Sequence, residues 1–216
     1  VTVTVAPVND APRFTSASTA AATEDTAFSY QTAAHDVEGD DFTFELAPGA
    51  PDWLGIDEQT GLITGTPDNQ DVGVHDVTII ATDSHGADAP FDLTVNVGNV
   101  PVAFTAAPAV GERNLIGNAY EFDIDSDDEG QGAVYSLVTA PAWLYIDTET
   151  GLLFGTPTRA ADIGPPQVVT VQVDDGHGGS DLHDFDLEVY GQVITLVARR
   201  GDRSVSLRDA DGDKLK

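Results

Sequence analysis

The chain has 216 residues, of which 37 are acidic and 9 basic, giving a formal charge of -28; such a charge repels nucleic acid and anionic membranes and argues strongly against either as a partner. At 41% hydrophobic and 7% aromatic residues, cores can form, disorder is not expected, and the length suits two sandwiches of about 100 residues each. Cysteine is absent, which excludes a disulfide scaffold, and no apolar run approaches the roughly 20 residues of a membrane helix, so direct membrane insertion is not expected.

In chain order, Val1–Val5 reads as the end of a preceding strand, with residues 1–7 as linker. Runs rich in Val, Thr, Ile and Phe then alternate with period two, as in Phe42-Thr43-Phe44-Glu45-Leu46 and Val74-His75-Asp76-Val77-Thr78-Ile79. These are strand signals, and apolar residues nowhere repeat at helical spacing over three turns. The spacing predicts about seven strands in a first unit, 8–98, centred near 12–15, 26–33, 41–47, 53–56, 61–64, 73–82 and 90–98. The same set is expected again in 99–190. The duplication is explicit: Trp53-Leu54-Gly55-Ile56-Asp57 through Gly61-Leu62-Ile63-Thr64-Gly65-Thr66-Pro67 returns 90 positions later as Trp143-Leu144-Tyr145-Ile146-Asp147 through Gly151-Leu152-Leu153-Phe154-Gly155-Thr156-Pro157. Ala27-Phe28 is echoed by Ala119-Tyr120, and Asp83-Ser84-His85-Gly86 by Asp175-Gly176-His177-Gly178. Each tryptophan opens a hairpin whose turn is Asp-x-x-Thr-Gly, and the Pro-x-Trp before it aims the indole at the core. After Tyr190 the runs Val193–Val197 and Ser204–Leu207 flank the basic stretch Arg199–Arg203, so 191–216 is expected to begin a further β element.

The string Pro51-Asp52-Trp53-Leu54, Asp57, Thr60-Gly61, Gly65-Thr66-Pro67, Val77-Thr78 and Ala81-Thr82-Asp83-Ser84-His85-Gly86 resembles the dystroglycan-type cadherin-like domain, also called the Putative Ig domain, of bacterial surface proteins. Pro141-Ala142-Trp143-Leu144, Gly155-Thr156-Pro157 and Asp175-Gly176-His177-Gly178 carry the same resemblance in the second unit, and Val8-Asn9-Asp10-Ala11-Pro12 is similar to the linker between repeats of large bacterial adhesins. The resemblance implies two tandem Ig/cadherin-like Greek-key β-sandwiches plus a C-terminal hairpin-like segment. It further implies a calcium-dependent extender or adhesion module, extracellular, whose partners are neighbouring domains of the same chain.

In such a sandwich the incoming linker, the loop between the second and third strands and the loop between the sixth and seventh share one end. They carry Asn9 and Asp10, then Asp36, Glu38 and Asp40, then Asp83. Ca²⁺ takes about six to eight oxygens from carboxylates, amides and carbonyls, and clustered acids without a cation repel by roughly 1 to 4 kcal/mol per close pair. A second site is expected where Asn99, Asp127, Asp128 and Asp175 of the next unit meet Glu24 and Asp25 from one turn and Asp68, Asn69 and Asp71 from another, although Asn99 stands in Gly98-Asn99-Val100-Pro101, without the aspartate that Asp10 supplies in the first copy. Solvated acidic loops, or charge adaptation to salty water, are the alternative reading. At the far end of the second unit the turns holding Glu112-Arg113 and Thr158-Arg159 predict a metal-free joint. In the tail, Asp209, Asp211 and Asp213 read as a solvated turn, because an EF-hand's downstream glutamate is missing.

No helical His pair, nucleophile elbow or phosphate-cradling loop is present, so no enzyme is expected. A carbohydrate- or protein-binding module is the competing class. Phe14, Tyr30, Phe104, Tyr135 and Tyr145 would serve it only if they surfaced together, and period-two alternation predicts that most point inward. Arg200-Gly201-Asp202 is read as a chance string in a turn.

Overall fold

Alternation of apolar and polar residues builds two layers of strand in each half of the chain. The computed structural model describes residues 8–191 together with the backbone of 195–197 and 206–208. The chain divides into a first unit, residues 1–100, and a second, residues 101–216. The first unit contains β1 (Arg13–Phe14), β2 (Thr19–Thr23), β3 (Phe28–Gln31), β4 (Ala34–His35), β5 (Phe42–Leu46), β6 (Leu54–Ile56), β7 (Leu62–Gly65), β8 (Gly73–Asp83) and β9 (Asp88–Gly98). One sheet runs in the order β2-β9-β8-β5 and the facing one β3-β7-β6, while β1 pairs with β4. The second unit repeats this with β10 (Phe104–Ala106), β11 (Glu112–Leu115), β12 (Tyr120–Asp123), β13 (Asp125–Ser126), β14 (Val134–Thr139), β15 (Leu144–Ile146), β16 (Leu152–Gly155), β17 (Gln167–Asp174) and β18 (Ser180–Tyr190). Its sheets are β11-β18-β17-β14 and β12-β16-β15, with β10 on β13. The expected all-β class and the paired sandwiches are both present, with no α-helix among the described residues.

The strand inventory differs from the expected seven. Thr19–Thr23 forms β2, parallel to β9 from Thr19↔Thr94 to Thr23↔Gly98. Its sequence, Thr-Ala-Ala-Ala-Thr, has alanines that favour helix and give no strand signal; the ladder of β9 imposes the extended form and turns Ala20 and Ala22 onto the core. Its counterpart β11 corrects a second expectation. Glu112 and Arg113 are not in a turn but on this strand, parallel to β18 from Glu112↔Leu187 to Leu115↔Tyr190. Its polar run Glu112-Arg113-Asn114 masked it, with Arg113 facing out and Glu112 on the phase of the buried Asn114. The strands β19 (Thr195–Val197) and β20 (Ser206–Arg208) pair antiparallel, whereas Arg200-Gly201-Asp202 and Asp209, Asp211 and Asp213 lie outside the described residues.

Ile63, Ile79, Leu93 and Val95 are fully buried at the centre of the first unit, and Leu153, Val169, Val171 and Tyr135 at the centre of the second. Trp53 meets Phe28 edge to face at 5.8 Å, and Trp143 meets Tyr120 likewise at 6.4 Å. Both indoles therefore pack inward, as the sequence implied. The repeated Gly-x-x-x-Gly follows from this packing. Gly61 and Gly151 have φ of +68° and +71°, which glycine alone adopts without strain. A Cβ at Gly65 would stand 2.0 Å from the Trp53 carbonyl oxygen, and one at Gly155 2.1 Å from that of Trp143. The turn before them is pinned by one carboxylate: Asp57 Oδ1 accepts from the amides of Gln59 and Thr60 at 3.1 and 2.7 Å, and Asp147 Oδ1 from those of Glu149 and Thr150 at 3.0 and 3.0 Å.

Candidate functional site

The β8–β9 hairpin and the incoming linker bring acidic residues to one end of the first unit. Asp83 closes β8, is buried, and accepts the amides of His85 and Ala87 on Oδ1 at 2.9 and 2.8 Å. Its Oδ2 accepts Asn9 Nδ2 at 2.7 Å. These donors, the Ala87 amide foremost and then Asn9, hold its carboxyl below the ordinary carboxylate range. In the loop after β4, Asp36 Oδ1 gathers the amides of Glu38, Gly39 and Asp40 at 2.9, 3.0 and 3.1 Å. That turn aims Asp40 at His85, with Oδ2 to Nδ1 at 3.1 Å, and Glu38 at the amide of Asp10, 3.4 Å away. Asn9, Asp10, Asp36, Glu38, Asp40 and Asp83 are thus joined through one network of contacts.

In the arrangement seen, no three His, Cys, Asp or Glu side chains among the described residues are grouped to hold a metal ion. Most oxygens here are committed to backbone amides. Asp36 Oδ2 is different, because it is buried and has no hydrogen-bond partner. A carboxylate oxygen kept from water without a donor is costly, and a hard cation would satisfy it. The donor set suits Ca²⁺ rather than a softer metal, since it is oxygen with a single imidazole at the rim.

The other predicted residues have different surroundings. Glu24 is fully buried, 0% exposed, and its Oε1 accepts the amide of Val100. The carboxylate therefore fastens the end of its own unit, a role invisible in the sequence beside Asp25. Asp25 has a positive φ of 55°, and its amide donates to the Pro67 carbonyl at 2.9 Å. Asp68 caps the short turn Asn69–Asp71 by accepting the Gln70 amide at 2.9 Å. Asn99 follows β9 in the first unit. In the second unit Asp127 Oδ1 accepts the amide of Ala103 at 2.7 Å, and Asp175 Oδ1 those of His177 and Gly179 at 2.7 and 2.9 Å. Asp128 and Asp175 are both buried.

Of the aromatic candidates, Tyr135 is buried with its hydroxyl 2.8 Å from that of Ser126, and Phe14, Tyr30 and Phe104 pack against the cores. Tyr145 is the exception at 56% exposed. It stacks on Phe154, itself 41% exposed, with ring centroids 5.9 Å apart. Phe154 was missed in sequence, though comparison of the two repeats carries the signal, since Gly55 and Thr64 stand at the matching positions.

Each half of the chain is an Ig-like sandwich of nine short strands with an acid-rich end, which defines a tandem β-sandwich module. Residues 11–98 and 102–190 each match the family described as Putative Ig domain, so the chain belongs to that family, in two consecutive copies. No curated protein matches it. Among solved structures it is similar to an endo-fucoidan hydrolase of glycoside hydrolase family 107, with 19% identity over 88% of this chain and 30% of that one, TM-score 0.46. It is also similar to domains EC1-2 of human protocadherin-24, with 13% identity over 86% of this chain and all of that one, TM-score 0.42. The chain therefore spans about a third of the length of the hydrolase.

Proposed function

We propose that the chain is a calcium-dependent, non-catalytic extender or adhesion module of a secreted bacterial surface protein, linked to neighbouring domains of the same chain. The observation that supports this reading is the chain of contacts that links Asn9, Asp36, Asp40 and Asp83 at one end of the first unit, with Asp36 Oδ2 buried and unsatisfied. Asp10 and Glu38 lie at the rim of the same network. Rotation of the Asn9 amide would exchange its NH₂ for its oxygen, turning the group that now donates to Asp83 into one more ligand. Glu24, Asp25 and Asn99 in the first unit, and Asp127, Asp128 and Asp175 in the second, belong to the same reading. Two consecutive copies of the sandwich support the spacer role.

The test is thermal melting at fixed ionic strength, with calcium and with chelator. For a site of about 10⁻⁴ to 10⁻³ M, a hundredfold excess of calcium over Kd contributes about 2.7 kcal/mol. The first unit's melting temperature should therefore rise by several degrees, and Asp36→Asn with Asp83→Asn should abolish the rise. An unchanged melt in both conditions would overturn the proposal and leave charge adaptation to salt as the account of the acidic loops.

A further inference from the structure

The outward face of β12-β16-β15 differs between the two copies at the very positions that the registers align. In the second unit Glu121 pairs with Phe154 and Phe154 with Tyr145, a row running from a carboxylate to two exposed, stacked rings. In the first unit the same row is Ser29, Thr64 and Gly55, with no ring at all. Beside Tyr145 opens a cavity of about 350 Å³ lined by Trp143, Tyr145, Thr156, Thr158, Arg159 and Asp162. Trp143, which lines this cavity, is 6% exposed, and its indole Nε1 is buried without a hydrogen-bond partner. Arg159 takes the place that Asp68 holds before the matching short turn of the first unit. Its Nη2 lies 3.4 Å from Asp162 Oδ1.

We propose that this face of the second unit binds a neutral glycan, with a sugar ring on Tyr145 and Phe154 and its hydroxyls held in the cavity by Arg159 and Thr158. A pyranose has one or both faces made of C–H groups, which settle on an aromatic ring, and an equator of hydroxyls, which need donors and acceptors at the ring's edge. Exposed stacked aromatics bordered by a guanidinium and threonine hydroxyls supply both at one place. The charge pattern selects a neutral sugar. Glu121 and Asp123 share the outward face with Phe154, Arg159 is already paired with Asp162, and the chain carries -28 overall, so a polyanion would be repelled. The carboxylates instead accept hydrogen bonds from sugar hydroxyls. This inference is independent of calcium.

Affinity electrophoresis of the whole chain tests it, in gels containing galactomannan, xyloglucan, hydroxyethylcellulose or amylose, with dextran sulfate and alginate as anionic counterparts. The expected result is retardation in at least one neutral gel. Tyr145→Ala and Phe154→Ala should each weaken that association at least about tenfold with unchanged melting temperature, because both side chains are exposed. Arg159→Ala, in a turn outside the core, repeats the test should either ring variant unfold. Ser29→Ala and Thr64→Ala in the first unit should leave retardation intact. Full mobility in every neutral gel, retardation by the anionic polymers alone, or binding that survives Tyr145→Ala would each overturn the proposal.

Discussion

The two units share a backbone and diverge in what they place on it, and the contrast separates residues that the fold demands from residues that a function can use. Both keep the inward Trp, the Asp-x-x-Thr-Gly turn and the glycine beneath the Trp carbonyl, because close backbone approach leaves no other choice. Where β2 leads into β3, however, Glu24 caps the Val100 amide from a fully buried position, while the corresponding turn after β11 has Ile116 and Gly117, with Ile116 packed against the core. The matching backbone bonds survive the exchange: Asp25 and Gly117 donate to Pro67 and Pro157 at 2.9 and 2.8 Å. One joint is built on a carboxylate and the other on an aliphatic contact.

The sharpest way to break the comparison is to hollow one core at a time. Ile63→Ala and Leu153→Ala remove fully buried side chains at matched positions, and each is expected to cost about 2 to 5 kcal/mol. Calorimetry should show one transition moving while the other stays; a common shift would mean that the copies unfold as one body. Next in size, Glu24→Leu leaves the Val100 amide without its acceptor and should cost the first unit about 1 to 3 kcal/mol, whereas Ile116→Leu should change the second by less than about 1.5 kcal/mol. Acid separates them further. The Asp57 carboxyl is held low by the Thr60 hydroxyl and amide, Asp147 by the amides of Thr150 and Glu149, and Asp83 by those at its own turn with Asn9. For a depressed carboxyl the stabilisation is full above the unfolded value of 3.8 and is lost as pH falls through the lower folded value. Melting temperature should thus fall below about pH 4, and Asp83→Asn should flatten that fall in the first unit alone, as read by circular dichroism. Smallest is Arg113→Ala, which breaks a 2.8 Å pair with Glu188 and a contact over Tyr190 at 5.1 Å. Both are solvent-screened, so denaturant titration should show a loss below about 1 kcal/mol.

Sequence showed the fold wherever side chains had to alternate or backbones had to touch. The period-two runs of β5 and β8, the Trp hairpins and the 90-residue repeat were all legible because packing constrains residue type there. It did not show β2, whose alanines are extended only because β9 offers a ladder, nor β11, whose Glu-Arg-Asn run carries no strand signal. That the incoming linker and the β8–β9 hairpin share one end, where Asn9 donates to Asp83, could be anticipated from strand order. What could not be read was the use of each oxygen: that Asp36 Oδ1 serves three amides while Oδ2 serves none, or that Glu24 is buried. Those depend on local dihedral angles that residue identity alone does not fix.

The parallel ladders of β2 on β9 and β11 on β18 have a mechanical meaning. In each unit the strand near the start of the domain runs alongside the last strand in the same direction, so tension applied to the two ends slides one past the other. Rungs loaded in shear must fail together, unlike a zipper that opens one tooth at a time. With five paired residues in the first ladder and four in the second, a stretched string of such copies would give way first at its shorter clasp.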